Sequence, residues 1–214
     1  MQHILDATAG DIVVTMAERI IANKAYLSEI DGKIGDGDHG VNMAKGFAMT
    51  AERLRDGSHG LSQALDTLGT VLMTEIGGSM GPLYGALFTG FAEALRERDA
   101  IDADAFGRML HRGLDEVLDI GGAKQGDKTM LDSLIPATRA FDAAVAAGRP
   151  FAEALRAMSG AAEAGRDSTI DMVARIGRAS RLGERSRGVL DAGATSCALL
   201  LMTLADGVGS KLVS

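Results

Sequence analysis

The sequence predicts an all-α protein, a single domain over residues 1–214 built from about eight antiparallel helices. Three observations carry that prediction. Only 4% of the chain is aromatic and three residues are proline, while Ala, Leu, Met, Glu and Arg recur throughout, a mix that favours helix over strand. Clusters of Gly, Pro and Asp divide the chain into segments of helical length. Inside one such segment Leu110, Leu114, Val117 and Leu118 fall at i, i+4, i+7 and i+8, a single apolar stripe.

Taken in order, the first helix is expected near 3–29, ahead of the acidic glycine turn "DGKIGDGDHG". The second, 42–55, ends at "DGSHG"; the third, 58–75, ends at "IGGSMGPLYG". Pro82, suited to a first helical turn, starts the fourth, 82–98, which ends at "RDAID". The fifth, 103–120, carries the apolar stripe and ends at "GGAKQGDK"; the sixth, 130–147, ends at "AGRP". The seventh covers 150–174, and "IGRASRLGERSRGVLDAG" leads into the eighth, 191–208.

The connections are of two kinds. Those after the second, fourth and sixth helices are short and chemically plain; those after the first, third, fifth and seventh are glycine-rich. If neighbouring helices run antiparallel, all four glycine-rich connections lie at one end of the bundle. Glycine lets backbone N–H groups approach a ligand closely, and the helix N-termini at that end attract anions.

Composition narrows the function. The chain is 46% hydrophobic and 24% charged, the balance of a soluble globular protein. Its 22 basic and 29 acidic side chains give a formal charge of -7, which argues against nucleic acid or an anionic membrane as the main partner. One cysteine, Cys197, excludes an internal disulfide and reads as a small core residue. The segment MQHILDATAGDIVV carries acids where a secretory leader carries bases, and no apolar run approaches the ~18 residues of a membrane span, so a cytoplasmic protein is expected.

In the first glycine loop, Asp31, Asp36 and Asp38 would repel one another without a cation between them. Oxygen ligands with no cysteine nearby suit Mg²⁺ or Ca²⁺ rather than zinc; the plainer alternative is an acidic surface loop with Asp38 as a helix N-cap. An EF-hand does not fit, because counting from Asp36 puts Val41 at the glycine position and Phe47 at the glutamate position. His39 and Asn42 stand where they can reach whatever the metal holds, whereas His3, His59 and His111 read as surface or packing residues. "GGSMG" matches the hydrolase pattern G-x-S-x-G around Ser79 but lacks the preceding strand, so an anion-binding turn fits better. "GGAKQGDKT" resembles a P-loop, although Asp127 intrudes before Lys128 and Thr129; it reads as a nucleotide-contacting loop of another fold, or as a helix start at Asp127 or Thr129. Arg175, Arg178, Arg181, Arg185 and Arg187 crowd the seventh connection, a basic stretch suited to covering a nucleotide.

Together "IGDGDHGVNMAKGF", "GGSMGPLYG", "GDKTMLD" and "GRASRLGERSRGVLDAGATS" resemble, in order and over nearly the whole chain, the L subunit (DhaL) family of dihydroxyacetone kinases. The resemblance implies a closed barrel of eight antiparallel helices with ADP or ATP at one end. It implies that Asp31, Asp36 and Asp38 hold two Mg²⁺ ions, that His39, Gly40, Val41 and Asn42 line the phosphate side with Ser79 and Met80, that Gly121 and Met130 border the adenine, and that Arg178, Asp191, Ala192 and Gly193 close over the nucleotide. Three positions depart from the family pattern: Ser79-Met80 where Ala-Ser is expected, Ala192 where proline is usual, and Arg181 where an aromatic residue is usual. The implied activity is phosphoryl transfer from Mg²⁺-nucleotide to dihydroxyacetone or a related short ketose held on a separate K-type subunit. A phosphotransferase M-type subunit would rephosphorylate bound ADP, and a transcription regulator is a further partner. The alternatives are an ATP-dependent tetrulose or glycerone kinase subunit and a non-catalytic nucleotide-loaded regulatory module.

Overall fold

The computed structural model describes residues 2–213, and its opening residues depart from the expected helix. His3–Leu5 form a strand, β1, paired antiparallel with β2 (Ala100–Asp102). Ile4 and Ile101 face each other in that ladder and both are fully buried, while Gly10, a poor helix former, sits where the expected helix would need its interior. The C-terminal end joins the same small sheet, with the His3 N–H donating to Val213 O at 3.0 Å and the Val213 N–H to His3 O at 2.9 Å.

Helix then runs as α1 (Asp11–Ala22) and α2 (Lys24–Ile34), not as one rod. The break falls at Asn23, whose backbone leaves the α region at φ −98° and ψ 9°; its N–H still reaches Arg19 O at 3.2 Å, and its side-chain Nδ2 adds a second donor to the same carbonyl at 2.8 Å. The remaining helices are α3 (His39–Arg53), α4 (Leu61–Glu75), α5 (Met80–Leu95), α6 (Ala103–Gly121), α7 (Leu131–Ala146), α8 (Phe151–Ser168) and α9 (Ala192–Ser210). The seventh expected helix therefore stops six residues short of 174. Thr169 O, one of the carbonyls at the end of α8, is taken by Lys128 Nζ at 2.7 Å, and the chain turns through a 3₁₀ segment at Thr169–Asp171. A second 3₁₀ segment covers Arg178–Ser186.

The helices form a ring. Each of α3 to α9 packs on its sequence neighbour, and α1 packs on both α3 and α9, so the barrel closes with eight staves and α2 as the bent extension of the first. Apolar side chains from all the staves form one contiguous interior. Phe47, Phe88 and Phe91 meet edge to face with ring centroids 5.8–6.2 Å apart, and Phe106, Phe141 and Phe151 form a second aromatic group at 5.1–6.0 Å.

Contrary to the expectation that no segment is long and apolar enough to span a membrane, α9 passes that test by length and composition. Its window is 72% buried inside the barrel, where an all-round apolar helix is also required of a core stave. Removing Phe141 should create a cavity between α6, α7 and α8. Phe141→Ala is expected to lower unfolding free energy by about 3–5 kcal/mol, read by chemical denaturation, with the helical circular-dichroism spectrum retained.

Candidate functional site

A cavity of about 380 Å³ opens at one pole of the barrel, lined by residues of all four glycine-rich connections. The first residues of α3, α5, α7 and α9 (His39, Met80, Leu131 and Ala192) all border it, so four helix N-termini surround one opening.

The last turn of α2, with Asp31, and the α2–α3 turn, with Asp36 and Asp38, supply the acids. Carboxylate oxygens of Asp31, Asp36 and Asp38 lie within 4.8 Å of one another. The turn folds back because Gly35 donates its N–H to Asp31 O at 2.5 Å, where a β-carbon would collide with the Asp31 carboxylate, and because Gly37 takes φ +79°. Asp38 occupies the N-cap position of α3 without capping it; Asp31 Oδ2 accepts the His39 N–H instead, at 3.3 Å. Arg178, from the 3₁₀ segment before α9, pairs with Asp36. Three carboxylates against one guanidinium leave a formal surplus of two negative charges (3 − 1), a donor set of hard oxygens that fits a divalent cation such as Mg²⁺.

His39 is fixed from behind. Its Nε2 is 2.9 Å from Ser196 Oγ, which is 2.7 Å from Tyr84 Oη, which in turn donates to Gly193 O at 3.0 Å. Burial holds the imidazole down at about 4, outweighing the opposite pull of Asp31, so the ring is neutral near pH 7. Asp191 caps α9, accepting the Ala194 N–H at 2.7 Å. Burial pushes its carboxyl up to about 7, against the Ala194 hydrogen bond and the Lys128 charge.

Of the residues singled out from sequence, Asp31, Asp36, Asp38, His39, Asn42, Ser79, Met80, Gly121, Met130, Arg178, Asp191, Ala192 and Gly193 all border the cavity. Gly40 and Val41 do not. Gly40 is packed against the Lys24 carbonyl and Ser28 of α2, where a β-carbon has no room, and Val41 is 48% exposed on the outer face of α3. Ser79 sits at the N-cap of α5 with helix on both sides of its turn, unlike the strand-borne serine of a hydrolase elbow. Lys128, from the loop read as nucleotide-contacting, borders the cavity; Tyr84 also borders it and Ser196 supports it, and neither of these two was singled out from sequence. Helical spacing held the signal for both, since Tyr84 lies one turn after Met80 and Ser196 one turn after Ala192. The apolar lining comes from Ile34, Leu83, Val117, Met130 and Leu131, enough for a flat ring system beside the acidic turn.

The P-loop likeness dissolves in the structure. Lys128, at φ +65°, is 2% exposed, and its Nζ donates to Thr169 O (2.7 Å), Met172 O (3.2 Å), Ser186 O (2.8 Å) and Val189 O (2.5 Å). Asp132, also buried, shapes the same loop by accepting the Gly126 N–H at 2.5 Å and the Thr129 N–H at 2.8 Å. Of the five arginines only Arg178 borders the cavity; Arg187 pairs with Glu184, and Arg175, Arg181 and Arg185 are exposed.

The sequence profile of the DAK2 domain matches residues 33–206. The chain is 38% identical over 197 residues to the PEP-dependent dihydroxyacetone kinase, ADP-binding subunit DhaL, of Escherichia coli, covering 92% of this chain and 90% of that one. It is 36% identical over 192 residues to the PTS-dependent dihydroxyacetone kinase, ADP-binding subunit DhaL, of Lactococcus lactis, covering 89% and 92%. It is 37% identical to the D-erythrulose kinase of Mycolicibacterium smegmatis over 90% of this chain but only 34% of that one. Among solved structures, the dihydroxyacetone kinase from C. freundii in complex with AMP-PNP and Mg²⁺ superposes with a TM-score of 0.68 at 26% identity, over 92% of this chain and 33% of that one. The chain thus spans about nine-tenths of the two L subunits and a third of the two larger kinases.

The lowered His39 value fixes the sign of a pH effect. A group whose folded-state value lies near 4, below its ordinary 6.5, contributes stability that is complete above pH 6.5 and is lost as pH falls through 4. The fall in unfolding free energy between pH 7 and pH 5 should therefore be smaller in His39→Gln than in the parent chain, by about 1–2 kcal/mol, measured by denaturant titration at the two pH values.

Proposed function

The chain belongs to the DAK2 domain family, and on that premise we propose that it is the Mg²⁺-nucleotide subunit of a two-component ketose kinase. The observation that carries the reading is the placement of three carboxylates, within 4.8 Å of one another, at the mouth of a cavity ringed by four helix N-termini. Phosphoryl transfer asks the protein mainly to position phosphates and neutralise their charge, and these parts do both.

In this reading Asp31, Asp36 and Asp38 hold Mg²⁺, which supplies charge neutralisation and alignment of the phosphate oxygens. His39, Asn42, Ser79 and Met80 line the phosphate side, Gly121 and Met130 border the adenine, and Arg178, Asp191, Ala192 and Gly193 cover the nucleotide. Gly40 contributes by letting α3 approach α2 closely, which brings the acidic turn and His39 to one side of the cavity. His39, neutral and anchored on Ser196, donates or accepts a hydrogen bond without changing charge as pH varies around 7.

The acceptor is dihydroxyacetone or a related short ketose presented by a separate K-type subunit that docks at the cavity pole. The likeness to two ADP-binding subunits over nine-tenths of their length favours bound ADP as a cofactor, rephosphorylated in the cytoplasm by a phosphotransferase M-type subunit. A second reading, ATP-dependent transfer to a tetrulose, is favoured by the 37% identity to D-erythrulose kinase.

Mass spectrometry of the purified protein should find tightly held ADP in the first regime and an exchangeable site in the second. Combined with a K-type subunit, its phosphotransferase partners and dihydroxyacetone, the protein should form ketose phosphate, and a complete failure to do so under either donor would refute the kinase reading. Asp36→Asn should abolish transfer and nucleotide retention together, whereas Ser79→Ala should leave measurable transfer. Loss of all activity in Ser79→Ala with no dependence on Mg²⁺ would point to a serine hydrolase instead.

A further inference from the structure

Lys128 belongs to the α6–α7 connection, yet all its hydrogen bonds reach the α8–α9 connection. An ammonium has three protons, and here four carbonyl oxygens surround it at 2.5–3.2 Å, so the longest bond, to Met172 O, shares a proton with a neighbour. The four acceptors are spread along the loop: Thr169 follows α8, Met172 ends the first 3₁₀ turn, Ser186 ends the second, and Val189 precedes the Asp191 cap of α9. Further bonds close the loop's base, from Asp191 N–H to Thr169 Oγ1 at 3.0 Å and from Gly188 N–H to Ile170 O at 2.7 Å. The Arg175 N–H donates to Asp127 O at 3.1 Å, a second tie between the same two connections. Arg178 stands at the start of the segment that Lys128 holds at its other end, and reaches across to Asp36.

A buried lysine with this geometry acts as a staple. Its left-handed backbone, unusual for a residue with a β-carbon, places the side chain under the loop, and the surrounding contacts must hold it there. We propose that Lys128 is a positioning residue: by fastening four carbonyls of residues 169–189 to the α6–α7 turn, it fixes Arg178 over the acidic turn and thereby sets how long the nucleotide stays bound. The first half concerns the ligand-free protein alone; the second rests on the nucleotide reading above.

The test uses the full chain, Lys128→Met, Arg178→Ala and the double variant. In ligand-free protein, brief trypsin digestion should cut Lys128→Met after Arg178, Arg181 or Arg185 at least ten-fold faster than the parent, with the thermal midpoint of the barrel preserved to within a few degrees. An unchanged cleavage rate would overturn the staple. With ADP and Mg²⁺, Arg178→Ala should speed ADP release about ten-fold in the parent background but less than two-fold in Lys128→Met, since an arginine no longer held in place contributes little. Equal losses in both backgrounds would show that Lys128 does not act through Arg178. If Lys128→Met does not fold, Lys128→Gln, whose amide still donates two hydrogen bonds, takes its place in both measurements with the same expectations at smaller amplitude. A parent protein that binds no ADP would sink the nucleotide reading while leaving the tryptic result to decide the staple.

Discussion

Closure of the ring, α1 against α9, is the constraint on which the site depends. With eight staves alternating in direction, every second connection must emerge at the same pole, and so must the N-termini of α3, α5, α7 and α9. Each terminus contributes a partial positive charge, typically ~0.3–1 kcal/mol toward a nearby anion. No single loop needs to be a binding motif. The barrel supplies a convergent positive field, and the end of α2 with the turn that follows sets three carboxylates inside it.

Those two features explain each other. Helix N-termini lessen the repulsion among Asp31, Asp36 and Asp38, as does Arg178 at Asp36, yet the formal surplus of negative charge persists. Those carboxylates would hold a divalent cation, which would supply the missing positive charge. Burial of Asp191 and His39 fits the same economy of charge: each is held toward its neutral form, beside the acidic turn, Arg178 and the enclosed Lys128 ammonium.

Much of this was legible in the chain because it depends on pattern. Helical period and glycine punctuation locate staves and loops, and parity places the loops at one pole without any coordinates. What escaped depends on single contacts. The strand at His3–Leu5 exists because its partner lies some 97 positions away, between Ala100 and Asp102, and three residues are too few for a period to show. The break at Asn23 comes from one residue whose backbone leaves the helical region. Gly40, placed on the phosphate side by the resemblance alone, leaves room for the contact of α3 with Lys24 and Ser28, a close approach that no local pattern shows. Ser196 sits on a core helix whose apolar surroundings conceal a hydroxyl used to hold His39.

Lys128 shows most plainly why residue type and spacing do not fix a role. In a P-loop the lysine is left free by a turn of backbone N–H groups and offers its charge to phosphate. Here the turn around Gly126 and Thr129 spends two of its N–H groups on Asp132, while four carbonyls enclose the ammonium. With its protons committed to backbone, that ammonium has none left for a ligand. The positive charge that the protein itself turns toward the cavity then comes from Arg178 and the helix ends. Lysine and arginine thus differ in what they meet: the first binds the carbonyls of the α8–α9 connection from beneath, and the second, with its planar fork suited to carboxylate and phosphate alike, faces the acidic turn.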